Sequence, residues 1–399
     1  MPISQTPYLL TQMARYIDRD YFEYLVKAHQ GNRYVKNFSC WNQLIVLFWA
    51  QLTTRRSLRD IVCSLRAHRD KLYRLGMGRN VSKSILAEAN ANRDVAIFRE
   101  LAVRMMQKAS AIGVVDMELR EIADAFNITG FFAGDSSTIQ LNTTLFNWSS
   151  PKQGYGGIKM HTLLDLLRSI PAMVMITGHE DGDQIFMDDY PYQKGCLYVF
   201  DKAYVKARSL FHIASKGAFF IVRRKSDLDI SVERHIALDE DNGVLADQII
   251  SFTGSKSRKG YPERLRMVTF YAESKNEAFV FLTNNLDIPP HIIAELYLRR
   301  WDIEQFFRWI KQHLYIQNFY GRSVNAVCIQ IYVAVITFCV ICLIADRYRP
   351  PVTRYELLRL LGTALFEKRE LSDILEDLII TDNRQHEEKE FGGTKSLFD

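Results

Sequence analysis

Hydrophobic residues recur at helical spacing along the first third of the chain. Residues 40–52 (CWNQLIVLFWAQL) are strongly apolar, and residues 57–75 place leucine or isoleucine near helical spacing, at 58, 61, 65, 72 and 75. Glycines within residues 76–78 interrupt this pattern, and Ser82 can cap a short polar helix that follows. A helix, a glycine turn and a short helix outline a helix-turn-helix motif, and a plain helical bundle fits the same pattern. We predict an all-α N-terminal domain over residues 1–125.

From residue 129 the hydrophobic period changes to that of β-strands. The pattern predicts strands at 131–141, 159–167, 172–177, 196–201 and 218–225, with a helix at 204–214. Strands interspersed with a helix favour an α/β layer, whose first part covers residues 126–225. Residues 226–290 are also strand-rich, most clearly at 264–272 and 278–283. Since that stretch is long for a connection, we predict an inserted β-rich subdomain.

Two adjacent prolines, Pro289 and Pro290, precede a long predicted helix that ends near residue 314. An apolar run at 327–345 approaches the length of a membrane span. Because it contains Gln330 and closely follows an amphipathic helix, we predict a buried core helix instead. We expect disorder in the polar tail from residue 381. The remaining predicted segments are 291–350, which holds the long helix and the rest of the core, and 351–399, which holds a C-terminal helical segment and the tail.

Composition narrows the class of protein. The chain has 399 residues, of which 48% are hydrophobic and 24% charged, so intrinsic disorder, collagen-like repeats and a small disulfide scaffold are excluded. Six cysteines are scattered, and only Cys339 and Cys342 have C-x-x-C spacing. They lie in the apolar run, where buried thiols are expected rather than a zinc or redox site. The N-terminus lacks a signal-peptide pattern, and we expect a cytoplasmic protein without a membrane association.

Charge is distributed unevenly along the chain. The net charge is only +5, yet residues 55–79 contain eight Arg or Lys against two Asp. From residue 370 onward, nine acidic residues face three basic ones. This asymmetry predicts a basic patch for nucleic acid or another anion, with an acidic tail elsewhere.

A polar stripe follows one side of the long predicted helix. At about 100° per residue, its members fall within a narrow arc. The rest of that helix is crowded with aromatic and aliphatic residues, so a polar stripe indicates a lined site. An exposed ion pair between Arg300 and Glu304 is the simpler alternative. The stripe consists of Tyr297, Arg300, Glu304, Arg308 and Lys311.

Two aspartates lie in or at the end of predicted strands. Asp135 is followed by small hydroxyl residues, and Asp201 closes the run CLYVFD. An acidic residue at such a position is costly unless it is paired, hydrogen-bonded or bound to a cation. Either aspartate alone is explained by a turn or cap. Together with Glu304 on a following helix, they predict a cation site.

These residues resemble a known family. The order Asp135, Asp201, Glu304, with the spacing Tyr-x2-Arg-x3-Glu-x6-Lys on the last helix, is similar to the DDE transposases of bacterial insertion sequences. It is most similar to the IS-four group, whose hallmark is this Y-R-E-K spacing. The resemblance covers residues 129–345, and residues 32–61 resemble the leader domain of one branch. It implies an α/β fold: an RNase H-like catalytic core, interrupted by the β-rich insertion, behind the all-α N-terminal domain.

The resemblance also implies a chemistry. Asp135, Asp201 and Glu304 would be catalytic and would bind two Mg²⁺ ions, with Asp135 bridging them; Mn²⁺ can substitute. Arg300 and Lys311 would contact phosphates, and Tyr297 would donate a hydrogen bond to the DNA backbone. The expected activity is binding of terminal inverted repeats, strand cleavage and strand transfer. Partners would be double-stranded transposon-end and target DNA, with at least a homodimer in the active complex.

Further DNA contacts are predicted outside the stripe. Phe279, four residues before a threonine, is a candidate for stacking on a flipped base, with core packing as the alternative. Two rival functions stay open: a catalytically inactive or regulatory DNA-binding relative, and an RNase H-like nuclease. The other candidate DNA contacts are Lys159, His161, Arg223, Arg224 and Arg308. For Lys159 and His161 an ordinary polar strand face is the alternative.

Overall fold

The structure, a computed structural model, describes residues 6–149, 156–178, 184–238, 242–273, 276–314, 316 and 318–379. The predicted disordered tail from residue 381 lies outside the described residues. The chain forms two compact units, one of residues up to 113 and from 309, the other of residues 114–308. This division differs from the sequence-based one, because the C-terminal helices join the N-terminal helices in one unit.

Helices dominate the first unit and flank the strands of the second. In the described residues they are α1 (Leu9–Ala14), α2 (Arg19–Ala28), α3 (Cys40–Leu52), α4 (Leu58–Arg66), α5 (Lys83–Asn92), α6 (Val95–Ile112), α7 (Met117–Ala125), α8 (Gln184–Asp189), α9 (Ala207–Ser215), α10 (Ser255–Gly260), α11 (Pro290–Leu298), α12 (Trp301–His313), α13 (Val324–Tyr348) and α14 (Arg354–Ala364). The unit boundary at Arg308 falls within α12.

The helical unit is built around α13. This helix is long and apolar enough to cross a membrane, but 94% of its most apolar window is buried inside the structure. It packs against α3, α5, α6 and α14, so the predicted core helix is confirmed. Its two neighbouring thiols, Cys339 and Cys342, are free and buried, and burial raises the pKa of Cys342 to about 12. Apolar surroundings of this kind leave a thiol unreactive.

The predicted helix-turn-helix is not formed. Ser82 does cap α5, accepting a hydrogen bond from the Ile85 N–H at 3.2 Å. However, α4 ends at Arg66, and residues 67–82 separate it from α5, whereas a helix-turn-helix has a turn of about three or four residues. In addition, α5 packs against α3, α4 and α13. The alternative prediction, a helical bundle, is confirmed.

The second unit holds one mixed sheet, which confirms the predicted α/β layer. Nine strands of the described residues pair in the order β3-β2-β1-β4-β5-β9-β8-β7-β6. The strand-rich segment after residue 226 therefore extends the core sheet through β9, which runs antiparallel to β5, and does not form a separate layer. The strands are β1 (Gly130–Leu141), β2 (Gly156–Asp165), β3 (Ile170–Gly178), β4 (Cys196–Phe200), β5 (Phe219–Arg223), β6 (Ile230–His235), β7 (Val244–Phe252), β8 (Leu265–Ala272) and β9 (Glu277–Thr283).

The predicted long helix after the prolines is two helices. It begins at Pro290 as expected, but α11 ends at Leu298 and α12 starts at Trp301. Between them the Arg300 N–H donates to the Tyr297 carbonyl three residues back, at 3.1 Å, so the chain tightens into a turn. The side chain of Arg299 anchors this turn through Asp116, at 3.4 Å, and through Glu118. The polar stripe therefore does not lie on one continuous helix.

Candidate active site

Strand register brings the two aspartates together. Strands β1 and β4 are parallel, and Gly134 pairs with Phe200, so Asp135 and Asp201 follow side by side. Neighbouring strands lie about 4.8 Å apart, which fixes the distance between these two backbones. Both strands are rich in buried apolar residues before the acidic position, so the carboxylates stand where the apolar core ends.

Arg300 joins the carboxylate of β1 to that of α12. Its Nη1 donates to Asp135 Oδ2 at 3.3 Å, and its Nη2 donates to Glu304 Oε1 at 2.7 Å. The side chain of Arg300 is only 11% exposed. Glu304 therefore lies in the same cluster as Asp135. Arg300, which joins them, lies in the turn between α11 and α12.

Tyr297 completes the cluster from the end of α11. Its hydroxyl donates to Asp201 Oδ1 at 3.2 Å, and its ring lies 4.6 Å from that of Phe281 on β9. Burial, followed by the negative charge of Asp201, raises the pKa of Tyr297 to about 12. The phenol therefore stays protonated at neutral pH and acts as a hydrogen-bond donor.

The surroundings of Asp135 disfavour its charged form. Burial raises the pKa of Asp135 to about 6, and the negative charges of Asp201 and Glu304 act in the same direction. The Ser136 N–H, which donates to Asp135 Oδ1 at 2.8 Å, and Arg300 oppose this shift. A carboxylate with a raised pKa among others is the usual mark of a site that lacks positive charge.

The donor set suits a hard divalent cation. Three carboxylates are the oxygen ligands that Mg²⁺ and Mn²⁺ prefer. Asp201 Oδ2 and Glu304 Oε2 accept no hydrogen bond from any described residue. As arranged here, no three His, Cys, Asp or Glu side chains of the described residues could hold a metal ion. In this arrangement the Arg300 guanidinium bridges Asp135 and Glu304.

The chain matches two protein-family models. Residues 128–340 match the transposase DDE domain, and residues 5–78 match a domain of unknown function, DUF4372. A protein of Sinorhizobium fredii named as transposase y4zB is 32% identical over 294 residues, which cover 72% of this chain and 79% of that protein.

This chain belongs to the DDE transposase family. A Synechocystis protein named as a transposase of the insertion sequence element IS4SA is 22% identical, over 73% of this chain and 80% of its own length. The solved piggyBac transposase synaptic complex with hairpin DNA gives a TM-score of 0.42 at 12% identity, covering 95% of this chain and 83% of that one. At that score we infer nothing further from the likeness.

Two basic residues of the transposase follow the cluster along α12. Arg308 is exposed one turn after Glu304. Lys311 is half-buried almost one turn further on, and burial lowers the pKa of its ammonium group. A cation that is partly desolvated gains more from an approaching phosphate than a fully hydrated one does.

The predicted DNA contacts on β2 face the wrong side of the sheet. Asp135 pairs with Thr162, whereas His161 pairs with Ser136 and Lys159 with Thr138, so both point away from the face of Asp135. His161 is fully buried, with its Nε2 at 2.8 Å from Thr177 Oγ1. The prediction that His161 approaches DNA is therefore wrong, and Lys159 lies on that same opposite face.

Phe279 packs inside the transposase rather than facing a base. It is 7% exposed, lies parallel to the ring of Phe281 at 6.2 Å, and is covered by the Arg223 guanidinium at 4.6 Å. Core packing, the alternative prediction, is confirmed.

Arg223 also pairs with Glu277, an exposed partner that a phosphate could replace. Arg224 donates a hydrogen bond to the Leu228 carbonyl at 3.1 Å, so its guanidinium has a partner within the fold.

Sequence patterns missed two supporting residues. Arg299 stands beside Arg300, but it binds Asp116 and Glu118 instead of the cluster. Gly134 leaves room for the ring of Phe200, because a Cβ at this position would lie 2.1 Å from its Cε1 atom. The position of Gly134, directly before Asp135, was the feature of the sequence that could have revealed its role.

Proposed function

We propose that this transposase binds the terminal inverted repeats of an insertion sequence, cleaves the DNA strands there, and joins the freed 3′ ends to target DNA. The observation that carries the proposal lies within the DDE domain: Arg300 bridges Asp135 and Glu304, and strand pairing puts Asp201 beside Asp135. Such a cluster provides what phosphodiester chemistry requires: anionic oxygens that hold divalent cations, beside basic groups that hold DNA.

The reaction consists of two displacements at phosphorus. In cleavage a water oxygen attacks the phosphorus and the 3′ oxygen leaves; in strand transfer that 3′ hydroxyl attacks a target phosphodiester and a target 3′ oxygen leaves. Two Mg²⁺ ions, when bound, would stabilise the attacking and leaving oxygens. Asp135, Asp201 and Glu304 would hold them, and Asp135 is electrostatically coupled to both of the other carboxylates.

The remaining residues of the cluster orient and bind. Tyr297 fixes Asp201 through its hydroxyl and can turn the same donor toward the DNA backbone. Arg300, Arg308 and Lys311 would contact phosphates beside the scissile bond, which set register without reading sequence. The spacing of Tyr297, Arg300, Glu304 and Lys311 supports assignment to the IS-four group.

The strand order supports an RNase H-like core. Strands β3-β2-β1-β4-β5 form a mixed sheet in which β1 to β3 are antiparallel and β1, β4 and β5 are parallel. One carboxylate lies on the first strand, one after the fourth, and one on a late helix. These are the positions that the resemblance to the insertion-sequence transposases implies.

The helical unit offers a surface for the DNA ends. A groove of about 1250 Å³ contains six basic and three acidic side chains, with Trp41 and Tyr73 among its walls. One of the acids, Asp18, is neutralised by Arg104 at 3.1 Å. A net positive groove of this size would release counter-ions from bound DNA. Its basic residues are Arg15, Arg19, Lys36, Arg74, Arg79 and Lys108.

Because two transposon ends must be brought together, the active complex would be at least a dimer.

The test is cleavage of DNA that carries the ends of the element encoding this chain, in the presence of Mg²⁺ or Mn²⁺. Glu304→Gln and Asp135→Asn should each lose at least about a hundred-fold in cleavage rate, since even residues that only support metal ligands cost 10–100-fold. Asp302→Asn, on the same helix, is the matched control and should keep its activity. Full activity in Glu304→Gln or Asp135→Asn would refute the assignment. Metal-independent DNA binding without nicking would favour the regulatory alternative.

A further inference from the structure

Two buried arginines of the α/β unit differ in how completely they are paired. Arg266 is 5% exposed, and its Nε and Nη2 donate to the two oxygens of Asp247 at 2.9 and 2.7 Å. Its Nη1 donates to the carbonyls of Leu286 and Ile288, at 3.3 and 2.6 Å. This arginine uses each of its three nitrogens, which is what a permanent structural ion pair needs to offset its desolvation.

Arg300 is paired much less completely. Its bond to Asp135 is long at 3.3 Å, its bond to Glu304 joins neighbouring turns of the same segment, and its Nε has no hydrogen-bond partner among the described residues. A buried donor without a partner is costly, so this position is poorly suited to a permanent ion pair. The arginine also stands in the turn between α11 and α12, where a long side chain can swing without moving a helix.

The oxygens that Arg300 holds are needed by a bound cation. Asp135 Oδ2 and Glu304 Oε1 face the guanidinium, and Asp135 Oδ1 is taken by the Ser136 N–H. A guanidinium is always charged, so it cannot withdraw by losing a proton. A divalent ion that approached these oxygens would meet a positive charge at a few ångströms, and the two cations would repel each other.

We infer that Arg300 is a resident counter-ion of the carboxylate cluster, which divalent metal displaces, so that metal binding frees the guanidinium to take a DNA phosphate. The inference rests on the proposed function, because it requires the cluster to bind metal. Metal and DNA then favour each other, since a phosphate that holds Arg300 removes the competitor of the metal, and such coupling is reciprocal.

The experiment is a titration of the full-length protein with Mn²⁺, in which free Mn²⁺ is measured by electron paramagnetic resonance. Arg300→Gln should bind Mn²⁺ at least about five-fold more tightly than wild type, the lower end of usual coupling between sites. Arg300→Lys, whose compact ammonium lacks the fork of separate nitrogens that spans the two carboxylates, should also bind more tightly. Arg264→Gln is the control, since its guanidinium pairs with Glu233 on β6, and its Mn²⁺ affinity should equal that of wild type.

A second measurement separates competition from damage to the fold. In EDTA, Arg300→Gln should melt at a lower temperature than wild type, because Asp135 and Glu304 lose their counter-ion, and added Mn²⁺ should raise its melting temperature more than that of wild type. Equal or weaker Mn²⁺ binding by both Arg300 variants would overturn the inference and leave the metal site intact. Wild-type Mn²⁺ binding that is absent, or unchanged in Asp135→Asn, would remove the proposed metal site and the inference together.

Discussion

At the scale of single residues, the carboxyl group of Asp135 has the most informative environment. Burial and two neighbouring carboxylates raise its pKa to about 6 from an ordinary value of 3.8. Between those two pH values the folded protein binds more protons at this position than the unfolded chain does. Stability without metal therefore falls as the pH rises through this window, and the loss is complete above about pH 6.

Asp135→Asn should remove this pH dependence. Without metal at pH 7.5, the variant should be more stable than wild type by on the order of 3 kcal/mol, because a shift of about two pKa units corresponds to roughly that energy. Near pH 4 the two proteins should differ little. Urea unfolding in EDTA at both pH values measures this, and equal stability at pH 7.5 would contradict the raised pKa.

Asp18 supplies a comparison of opposite sign. Burial alone would raise the pKa of Asp18, but the Tyr21 N–H and Arg104 outweigh it and lower the pKa. Asp18→Asn keeps a residue that can cap α2 but loses the charge. It should therefore lose stability above about pH 4, where Asp135→Asn gains it.

At the scale of elements, the site depends on how closely β1 and β4 approach each other. Gly134 and Phe200 pair across these parallel strands, each directly before one aspartate. The glycine leaves space that the aromatic ring fills, and the ring lies within the core beneath the carboxylates. A change at this contact would disturb both stability and the positions of Asp135 and Asp201.

Gly134→Ala should destabilise the protein by about 1–3 kcal/mol, the usual cost of overpacking a core. The added Cβ would lie 2.1 Å from Phe200 Cε1, so the buried ring must shift. The double variant Gly134→Ala with Phe200→Leu should recover part of the loss, because leucine is smaller. Gly254→Ala is the control, since its nearest atom would be at 3.4 Å. Thermal unfolding of these proteins together with the single variant Phe200→Leu measures the coupling, and additive effects would contradict a direct clash.

The sequence pattern did not show which face of the sheet each side chain of β2 occupies. The alternation of β2 is visible in the sequence, but only its pairing with β1 shows that His161 and Asp135 lie on opposite faces. A one-residue change of register would reverse that result. The turn at Arg299 and Arg300 was missed for a similar reason, because its anchors, Asp116 and Glu118, are distant in sequence.

At the scale of the whole molecule, charge is divided between two tasks. The helical unit carries a net positive groove and six exposed arginines between residues 55 and 79. The α/β unit contains the cluster of Asp135, Asp201 and Glu304. Binding of DNA and its cleavage can therefore be altered separately.

Replacing Arg74 and Arg79 by Gln should weaken DNA binding and reduce its salt dependence. Both are exposed residues of the groove, and each lost phosphate contact lowers the slope of log affinity against log salt by about 0.9 on duplex DNA. A fluorescence titration over a range of salt concentrations measures the slope. The control replaces Arg120 and Arg264, exposed residues of the other unit, and should leave the slope unchanged. An unaltered slope in the groove variant would exclude these two arginines as phosphate contacts.

The sequence by itself determined the strands, the apolar core helix, the capped α5 and the three acidic residues with their family, because these follow from local spacing and from residue type. Only the tertiary structure decided which faces the side chains occupy, that the strand-rich segment extends the core sheet, that the first and last described helices belong to one unit, and that Arg300 holds Asp135 and Glu304 together. These features arise from pairing between distant segments, where register and packing, rather than the properties of neighbouring residues, set the energy.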